Sequence, residues 1–186
     1  METLSYQDVN RHVIDRCKSG ENRAQYELYK LYSKAMFNVC MRITNDYAEA
    51  EDVLQEAFIS AFKNLHTYKA EASFGSWLKK IVVNAAINAI RKRRAELVPI
   101  DERVADEIAD EQGNEDDTEW QADKVRRAIQ KLPDGYRVVL SLYLLEGYDH
   151  AEISEILAIT ASTSKSQYSR ARKKLIELMR EPLLVA

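Results

Sequence analysis

Apolar residues recur every three or four positions along most of this chain, the period that places side chains on one face of an α-helix. The pattern predicts a first helix from about Tyr6 to Lys18, ended by Gly20, and a longer second helix from about Asn22 to Ile43. Asp46, followed three residues later by Glu49, resembles a capping box and predicts the start of a third helix. The chain therefore opens with consecutive amphipathic helices.

A polar, aromatic loop from His66 to Ser73 separates the third helix from a fourth. The fourth helix is predicted to begin near Ser73 or Phe74 and to end in the basic run Arg91–Arg94. Pro99 closes this first block, and from there to about Thr118 no periodic apolar face is present. We expect that acidic stretch to be a linker that is at best transiently helical.

The second block, from Glu119 to about Met179, also predicts helices. One runs from about Trp120 to Lys131, and Pro133 is interpreted as the first residue of the next helix, where its missing N–H costs little. Gly147 is predicted to terminate that second helix.

A short helix, a tight turn and a longer basic helix follow, which is the helix-turn-helix pattern. Asp149 and Glu152 form a second capping box, the turn is Ala158-Ile159, and Thr160 caps a helix that reaches about Met179. The first turns of such a recognition helix carry short polar side chains for base edges, and basic ones follow for phosphates. The expected DNA-facing residues are Ser162, Thr163, Lys165, Ser166, Gln167, Ser169, Arg170, Arg172 and Lys173. The alternative is an ordinary solvated helix surface.

The fourth helix combines aromatic, amide and basic side chains. Phe74 and Trp77 stand near its start, Lys80 follows, and Asn84 and Asn88 are four residues apart. Aromatic and amide groups on a basic surface suit unstacked single-stranded bases. The alternative places Trp77 in the core and has the arginine run interact with the helix dipole.

The third helix carries a polar face formed by Asp52, Gln55 and Glu56, which are three and four residues apart. The opposite side is apolar. This face is either an ordinary exposed surface or a carboxylate and amide docking surface for a partner.

Composition favours helix nearly throughout, since the chain of 186 residues has five Gly and three Pro. The net charge of −3 argues against nucleic-acid binding until its distribution is considered. From Glu96 to Glu119 there are 11 acidic residues and one basic residue, so this stretch carries −10 and leaves +7 for the remainder. An acidic connection between two basic blocks is a signal of charged partners.

Cys17 and Cys40 are too few for a disulfide framework and are interpreted as core residues. The three histidines are far apart in sequence, so we do not expect them to form a metal site. The sequence also contains no phosphate-binding glycine loop and no nucleophile motif. We therefore expect no enzyme activity, no cofactor and no small-molecule substrate. Without a secretory signal or an apolar stretch near ~20 residues, the protein is expected in the cytoplasm.

Several motifs, in order, resemble the extracytoplasmic-function (ECF) group of bacterial sigma factors, over about Arg23–Arg94 and Ala128–Met179. The resemblance implies an all-α fold of two small helical domains, with region 2 at residues 1–95, an acidic linker at 96–118 and a region 4 helix-turn-helix at 119–186. It is carried by Asp46 to Phe58, Ala72 to Leu78, Asn84, Asn88 and Arg91–Arg94 in the first block, and by Leu132-Pro133, Glu146-Gly147-Tyr148, Glu152 to Leu157 and Lys165 to Leu175 in the second.

The resemblance also implies roles for residues. Asp52, Gln55, Glu56 and Phe58 would bind core RNA polymerase. Duplex DNA of the −35 element would be bound by the recognition-helix residues named above. Unpaired DNA of the −10 element would be bound by His66, Tyr68, Lys69, Ser73, Phe74, Trp77, Lys80, Asn84, Asn88 and Arg91.

The implied partners are core RNA polymerase, promoter DNA and an inhibitory anti-sigma factor, often membrane-bound. Three positions depart from the family pattern: Ala158 replaces a glycine, Ser164 an apolar residue and Tyr168 a leucine. Two other functions remain open: an autonomous helix-turn-helix regulator that binds duplex DNA without polymerase, and a helical adaptor without a DNA role.

Overall fold

The computed structural model describes residues 10–96 and 117–180 of the chain, and within these ranges it contains helices and no strand. The prediction of an all-α protein is confirmed. The chain divides into two units between Glu96 and Leu97. The helices are α1 (Arg11–Lys18), α2 (Asn22–Thr44), α3 (Tyr47–Lys63), α4 (Phe74–Glu96), α5 (Asp117–Gln130), α6 (Asp134–Leu140), α7 (His150–Leu157) and α8 (Ala161–Arg180).

In the first unit, α2, α3 and α4 pack pairwise against one another and α1 packs on α2. Leu28 and Ile43 of α2 and Leu78 of α4 are fully buried, as the apolar spacing predicts. Cys17 and Cys40 are buried and free, which confirms their interpretation as core residues. The burial raises the pKa of the Cys40 thiol to about 12.

The junction between α2 and α3 differs in one detail from the predicted capping box. Asp46 does accept a 2.8 Å hydrogen bond from the Glu49 amide. The Asp46 amide, however, donates to Thr44 Oγ1, and the Glu49 carboxylate binds Arg93 Nη1 at 2.8 Å. Arg93, in the basic run that ends α4, therefore forms an ion pair with Glu49 of α3. The two residues are 44 positions apart, so local sequence does not reveal the pair.

In the second unit, α6 and α8 pack around a small cluster of Leu132, Leu140 and Ala171, and α5 and α7 also contact α8. A π-helical turn, Ser141–Leu145, continues α6 before Gly147, whose φ of 80° confirms the predicted terminator. Pro133 lies one residue before α6, at the N-cap, because its ψ of 143° is extended. The prediction that it is the first helical residue is therefore wrong by one position.

Asp134, the first residue of α6, has a specific partner. Its carboxylate lies 2.6 Å from Arg137 Nη2, and Arg137 also donates to the Leu132 carbonyl at 3.0 Å. The Arg137 side chain is 3% exposed, so the second unit buries a guanidinium near its apolar cluster.

The remaining boundaries lie close to those predicted. The expected start of the first helix before Asn10 and most of the linker predicted at 96–118 lie outside the described residues. At the two ends of that linker, α4 includes Glu96 and α5 already begins at Asp117.

Candidate functional site

The helix-turn-helix is formed by α7, a two-residue turn and α8. The predicted capping box is complete, since Asp149 accepts from the Glu152 amide at 2.8 Å and Glu152 accepts from the Asp149 amide at 2.9 Å. Ala158 adopts the left-handed conformation, with φ 56° and ψ 45°, and reverses the chain. Thr160 Oγ1 then accepts the Thr163 amide at 3.0 Å, which confirms it as the N-cap of α8.

The side chains predicted to meet DNA lie on the accessible surface of α8. Of the nine, only Gln167 is half-buried, and the other eight are exposed. Thr163 also shares a 2.8 Å hydroxyl contact with Thr160, and the Arg172 guanidinium lies 5.9 Å from the centre of the Tyr168 ring. The exposed surface of α8 therefore presents short polar groups and Lys165 in its first turns and further cations in the next, an order that suits base edges followed by phosphates.

The two unusual residues of α8 share one neighbour. Ser164 is fully buried, and its hydroxyl lies 2.9 Å from Nδ1 of His150. The Tyr168 ring lies 4.5 Å from that of Tyr143, which stacks on His150 at 4.5 Å. His150 thus links the first turn of α7 to α8, and sequence reasoning considered it only as a metal-ligand candidate. No local signal identifies this role, because its partners in α8, Ser164 and Tyr168, are 14 and 18 residues away.

The loop before α4 is held from inside by aromatic rings. Tyr68 donates a 2.8 Å hydrogen bond to the Ala72 carbonyl, and its ring lies within 5.6 Å of those of Phe74 and Trp77. Phe74 is fully buried and Tyr68 is 5% exposed. The expectation that these two rings contact DNA directly is at odds with this burial, and their contacts make them supports of the loop. Trp77 is half-buried, and Ser73 accepts the Ser76 amide as a cap of α4.

The other residues predicted at the −10 element are accessible. His66 and Lys69 are exposed on the loop. On α4 the exposed residues have the spacing of a single helical face, so they are brought together along one stripe. They are Lys80, Asn84, Asn88 and Arg91.

The predicted polymerase-docking face is divided by burial. Asp52, Gln55 and Glu56 are exposed on α3, whereas Phe58 is 3% exposed and contacts the ring of Tyr29 at 4.9 Å. Phe58 is therefore a core residue, and its predicted place on a contact surface is corrected. This outcome follows from the helical period, because residue 58 lies on the same face as the buried residues 54 and 61.

A groove of about 250 Å³ lies beside this face, between α2 and α3. Its walls include the rings of Phe37 and Tyr47 together with Glu51 and Gln55. The Glu51 carboxylate accepts from the Tyr47 hydroxyl and raises the pKa of that phenol. The groove beside Gln55 is thus aromatic, and Glu51 and Lys34 give its lining one charge of each sign.

Within residues 10–96 and 117–180 no cluster of side chains has the composition of a metal site. None of the helices there is long and apolar enough to cross a membrane.

Comparison with known proteins identifies both units. Residues 28–96 match the family model of sigma-70 region 2, and residues 122–175 match that of sigma-70 region 4. The chain is 31% identical to the ECF RNA polymerase sigma factor SigW of Bacillus subtilis, over 90% of this chain and 95% of that protein. It is 30% identical to the RNA polymerase sigma-H factor of Pseudomonas aeruginosa, over 96% of this chain and 97% of that protein.

A solved structure shares the fold. The sigma factor RpoE from Bartonella quintana, in a co-crystal with the anti-sigma factor NepR, superimposes with a TM-score of 0.57 at 22% identity, over 84% of this chain and 96% of that one. The two family models and the curated relatives show that the chain belongs to the ECF sigma factors of RNA polymerase.

Proposed function

We propose that this sigma factor binds core RNA polymerase and directs it to promoters by holding the DNA at two places. Sigma factors act in promoter-directed transcription initiation, and they are regulators rather than enzymes. In this chain, α8 binds the −35 element as duplex, and the loop at 66–73 with the exposed face of α4 binds the unpaired −10 strand. The observation that carries the proposal is the exposure of the polar and basic residues of α8 on a capped helix that follows a tight turn.

Polymerase docks on the ridge formed by Asp52, Gln55 and Glu56. All three side chains are exposed and none is needed for the core of the first unit. The adjacent groove adds aromatic surface, a further carboxylate and the ammonium of Lys34. The exposed carboxylates of Asp52 and Glu56 suit a basic helical element of the partner.

Inhibition by an anti-sigma factor is part of the proposal, because the similar RpoE was crystallised with one. Such a protein would cover the surfaces that polymerase and DNA need. The anti-sigma factor and the signal to which it responds determine when the chain is released. We place the chain itself in the cytoplasm.

The broad test is run-off transcription with core polymerase on a genomic library, with start sites read by sequencing. We expect initiation at a limited set of promoters only when the chain is added. Sequence-specific gel shifts by the chain alone, with no stimulation of core polymerase, would instead identify an autonomous regulator and overturn the proposal.

The docking ridge is tested by Gln55→Ala. We expect about a tenfold weaker affinity for core polymerase, which corresponds to about 1.4 kcal/mol, with an unchanged helical circular dichroism spectrum. Gln130→Ala, at an exposed glutamine of α5, is the matched control. Equal polymerase affinity in both variants would remove Gln55 from the interface.

The −35 contact is tested by Arg172→Ala. Loss of one phosphate contact should weaken binding to all promoters alike and reduce the slope of log K against log salt by about 0.9. Arg126→Ala removes the same charge from an exposed position on α5 and serves as the control. A change confined to one promoter sequence would assign Arg172 to base recognition instead.

A further inference from the structure

A cleft between α1 and the loop at 66–73 has the features of a phosphate site. It has a volume of about 120 Å³ and is lined by Arg11, Ile14, Asp15, Lys18, Tyr68, Lys69 and Ala70. The four residues of α1 in this lining are spaced 3, 1 and 3 apart, so one stripe of the helix faces the loop. The buried side chain of Ile14 forms part of the lining.

The charge of the cleft is cationic. Arg11, Lys18 and Lys69 are exposed, whereas Asp15 is the single carboxylate among the lining residues. Asp15 lies 3.9 Å from Arg11, and both side chains are more than half exposed, so this ion pair is weak. Asp15 therefore neutralises little of the positive charge of the cleft. Positive charge therefore remains available for an anion.

Lys18 fixes the geometry of the two walls. Its ammonium donates a 2.8 Å hydrogen bond to the Tyr68 carbonyl and lies 5.4 Å from the centre of the Tyr68 ring. An ammonium has three donors, so two N–H groups remain for a ligand in the cleft. The left-handed Ala70, with φ 60°, turns the backbone directly after Lys69. The last turn of α1 is thus tied to the loop that the proposed function assigns to unpaired DNA.

We propose that this cleft binds one backbone phosphate of the unpaired −10 strand, with Arg11 and Lys18 of α1 as its ligands and Lys18 also positioning the loop. The inference rests on the proposed function and extends it to a helix for which neither the sequence patterns nor the family resemblance indicates a DNA role. A phosphodiester suits the site because ammonium and guanidinium groups surround a small space. A base does not, because the ring in the lining, that of Tyr68, is buried and offers no surface for stacking.

The experiment uses the holoenzyme, formed from the full chain and core polymerase, and a forked promoter probe with an unpaired −10 strand. The probe sequence comes from the mapped start sites. For Arg11→Gln we expect about fivefold weaker binding of the forked probe and a salt slope lower by about 0.7, the value for one phosphate contact on single-stranded DNA. Lys30→Gln is the matched control, because Lys30 is also exposed and also lies over a tyrosine ring, at 5.5 Å from that of Tyr26.

A second arm locates the phosphate. Single methylphosphonate linkages, which are neutral, are placed one at a time along the unpaired strand. At one linkage the wild-type holoenzyme should lose more than about fivefold in affinity, because both ligands lose their partner, and Arg11→Gln should lose less there because only the Lys18 contact remains. Equal losses in wild type and Arg11→Gln at every linkage would overturn the phosphate site.

Lys18 has its own readout. Lys18→Gln should weaken the forked probe more than Arg11→Gln and should speed hydrogen exchange in residues 66–73, and Lys18→Arg should restore both. Rescue of loop protection without rescue of binding would contradict the site. If Arg11→Gln behaves like Lys30→Gln while wild type still prefers forked over duplex probe, the inference fails and the proposed function stands. If wild type shows no such preference, both fail.

Discussion

The two units bury different kinds of side chain. Among the described residues, the buried polar side chain of the first unit is Thr44, and the rest of its core is apolar. The second unit buries Arg137, Ser141, Glu146 and Ser164. Arg137 pairs with Asp134, and the Ser164 hydroxyl lies 2.9 Å from His150 Nδ1, so specific polar contacts add to apolar packing in the second unit.

This difference bears on how each unit presents its interface. In the first unit, exposed residues such as Gln55 and Asn84 stand on helices whose opposite faces fill a broad core. In the second, α8 is positioned partly by the bond between Ser164 and His150 and by the stacked rings beside it. A sequence change at a polar contact is thus expected to disturb the second interface more than a similar change disturbs the first.

The largest effect tests the apolar core of the first unit. Phe74→Ala removes a fully buried ring that contacts Tyr32, Tyr68 and Trp77. We expect a loss of about 4 kcal/mol in the free energy of unfolding, measured by denaturant unfolding of the full chain, with faster exchange in residues 66–73. Ile59→Ala, at an exposed apolar residue, is the control. A loss below about 1 kcal/mol for Phe74→Ala would mean that the ring is not held as described.

The next effect tests the buried polar contacts of the second unit. Asp134→Ala leaves the Arg137 guanidinium buried without its carboxylate, and we expect a loss of about 3 kcal/mol. Asp123→Ala is a matched control, because Asp123 and Arg126 form an exposed pair with the same spacing and the same 2.6 Å distance. That control should cost under about 1 kcal/mol. Equal losses in the two variants, by unfolding monitored in each unit, would show that burial of the pair is irrelevant.

Alkaline titration distinguishes the units further. Burial, followed by the charges of Glu146 and Glu152, raises the pKa of Tyr148 to about 12. The unfolded phenol ionises from about pH 10, so this contribution to stability is complete below pH 10 and is lost between pH 10 and 12. We expect Tyr148→Phe to reduce that loss in the second unit by about 2 kcal/mol.

The measurement is hydrogen exchange resolved by unit across pH 8 to 12. In the first unit, burial raises the pKa of Cys40 from 9 to about 12. The stability of the first unit should therefore begin to fall about one pH unit below the pH at which that of the second unit falls. An identical pH profile for Tyr148→Phe and wild type in the second unit would contradict the assignment.

The smallest effect is a gain. Ala158 adopts a left-handed conformation that costs a residue with a Cβ about 1 kcal/mol. Ala158→Gly should therefore raise the free energy of unfolding of the second unit by up to about 1 kcal/mol, with unchanged promoter specificity. Gly147→Ala, at φ 80°, is the reciprocal variant and should destabilise. A destabilised Ala158→Gly would show that the turn is not strained.

Much of the fold could be predicted from local sequence. The caps at Asp46, Asp149 and Thr160 and the terminator Gly147 were identified from residue type alone, because each satisfies orphan backbone groups within three or four residues. The first residue of a helix is harder to predict, as the one-residue error at Pro133 shows. The ψ angle of Pro133 alone decides whether that residue is the N-cap or the first helical residue.

The candidate sites were predicted in part. The helix-turn-helix surface and the ridge at Asp52, Gln55 and Glu56 are exposed, since helical period alone places them opposite apolar faces. The expected contact surfaces include Tyr68, Phe74 and Phe58, but the structure buries all three. Residue type does not decide this, because an aromatic side chain suits a core and a nucleic-acid platform equally well. Whether such a ring lies in the core or on the surface depends on which other rings the tertiary structure brings next to it.

By itself, the sequence determined the helices, their caps, the two basic blocks and the helix-turn-helix, since these depend on residues within a few positions of one another. The tertiary structure alone decided that Arg93 ties Glu49, that His150 holds Ser164, and that Lys18 meets the backbone of Tyr68. These contacts join residues 14 to 50 positions apart. No local period encodes such pairs, because packing of whole helices brings them together.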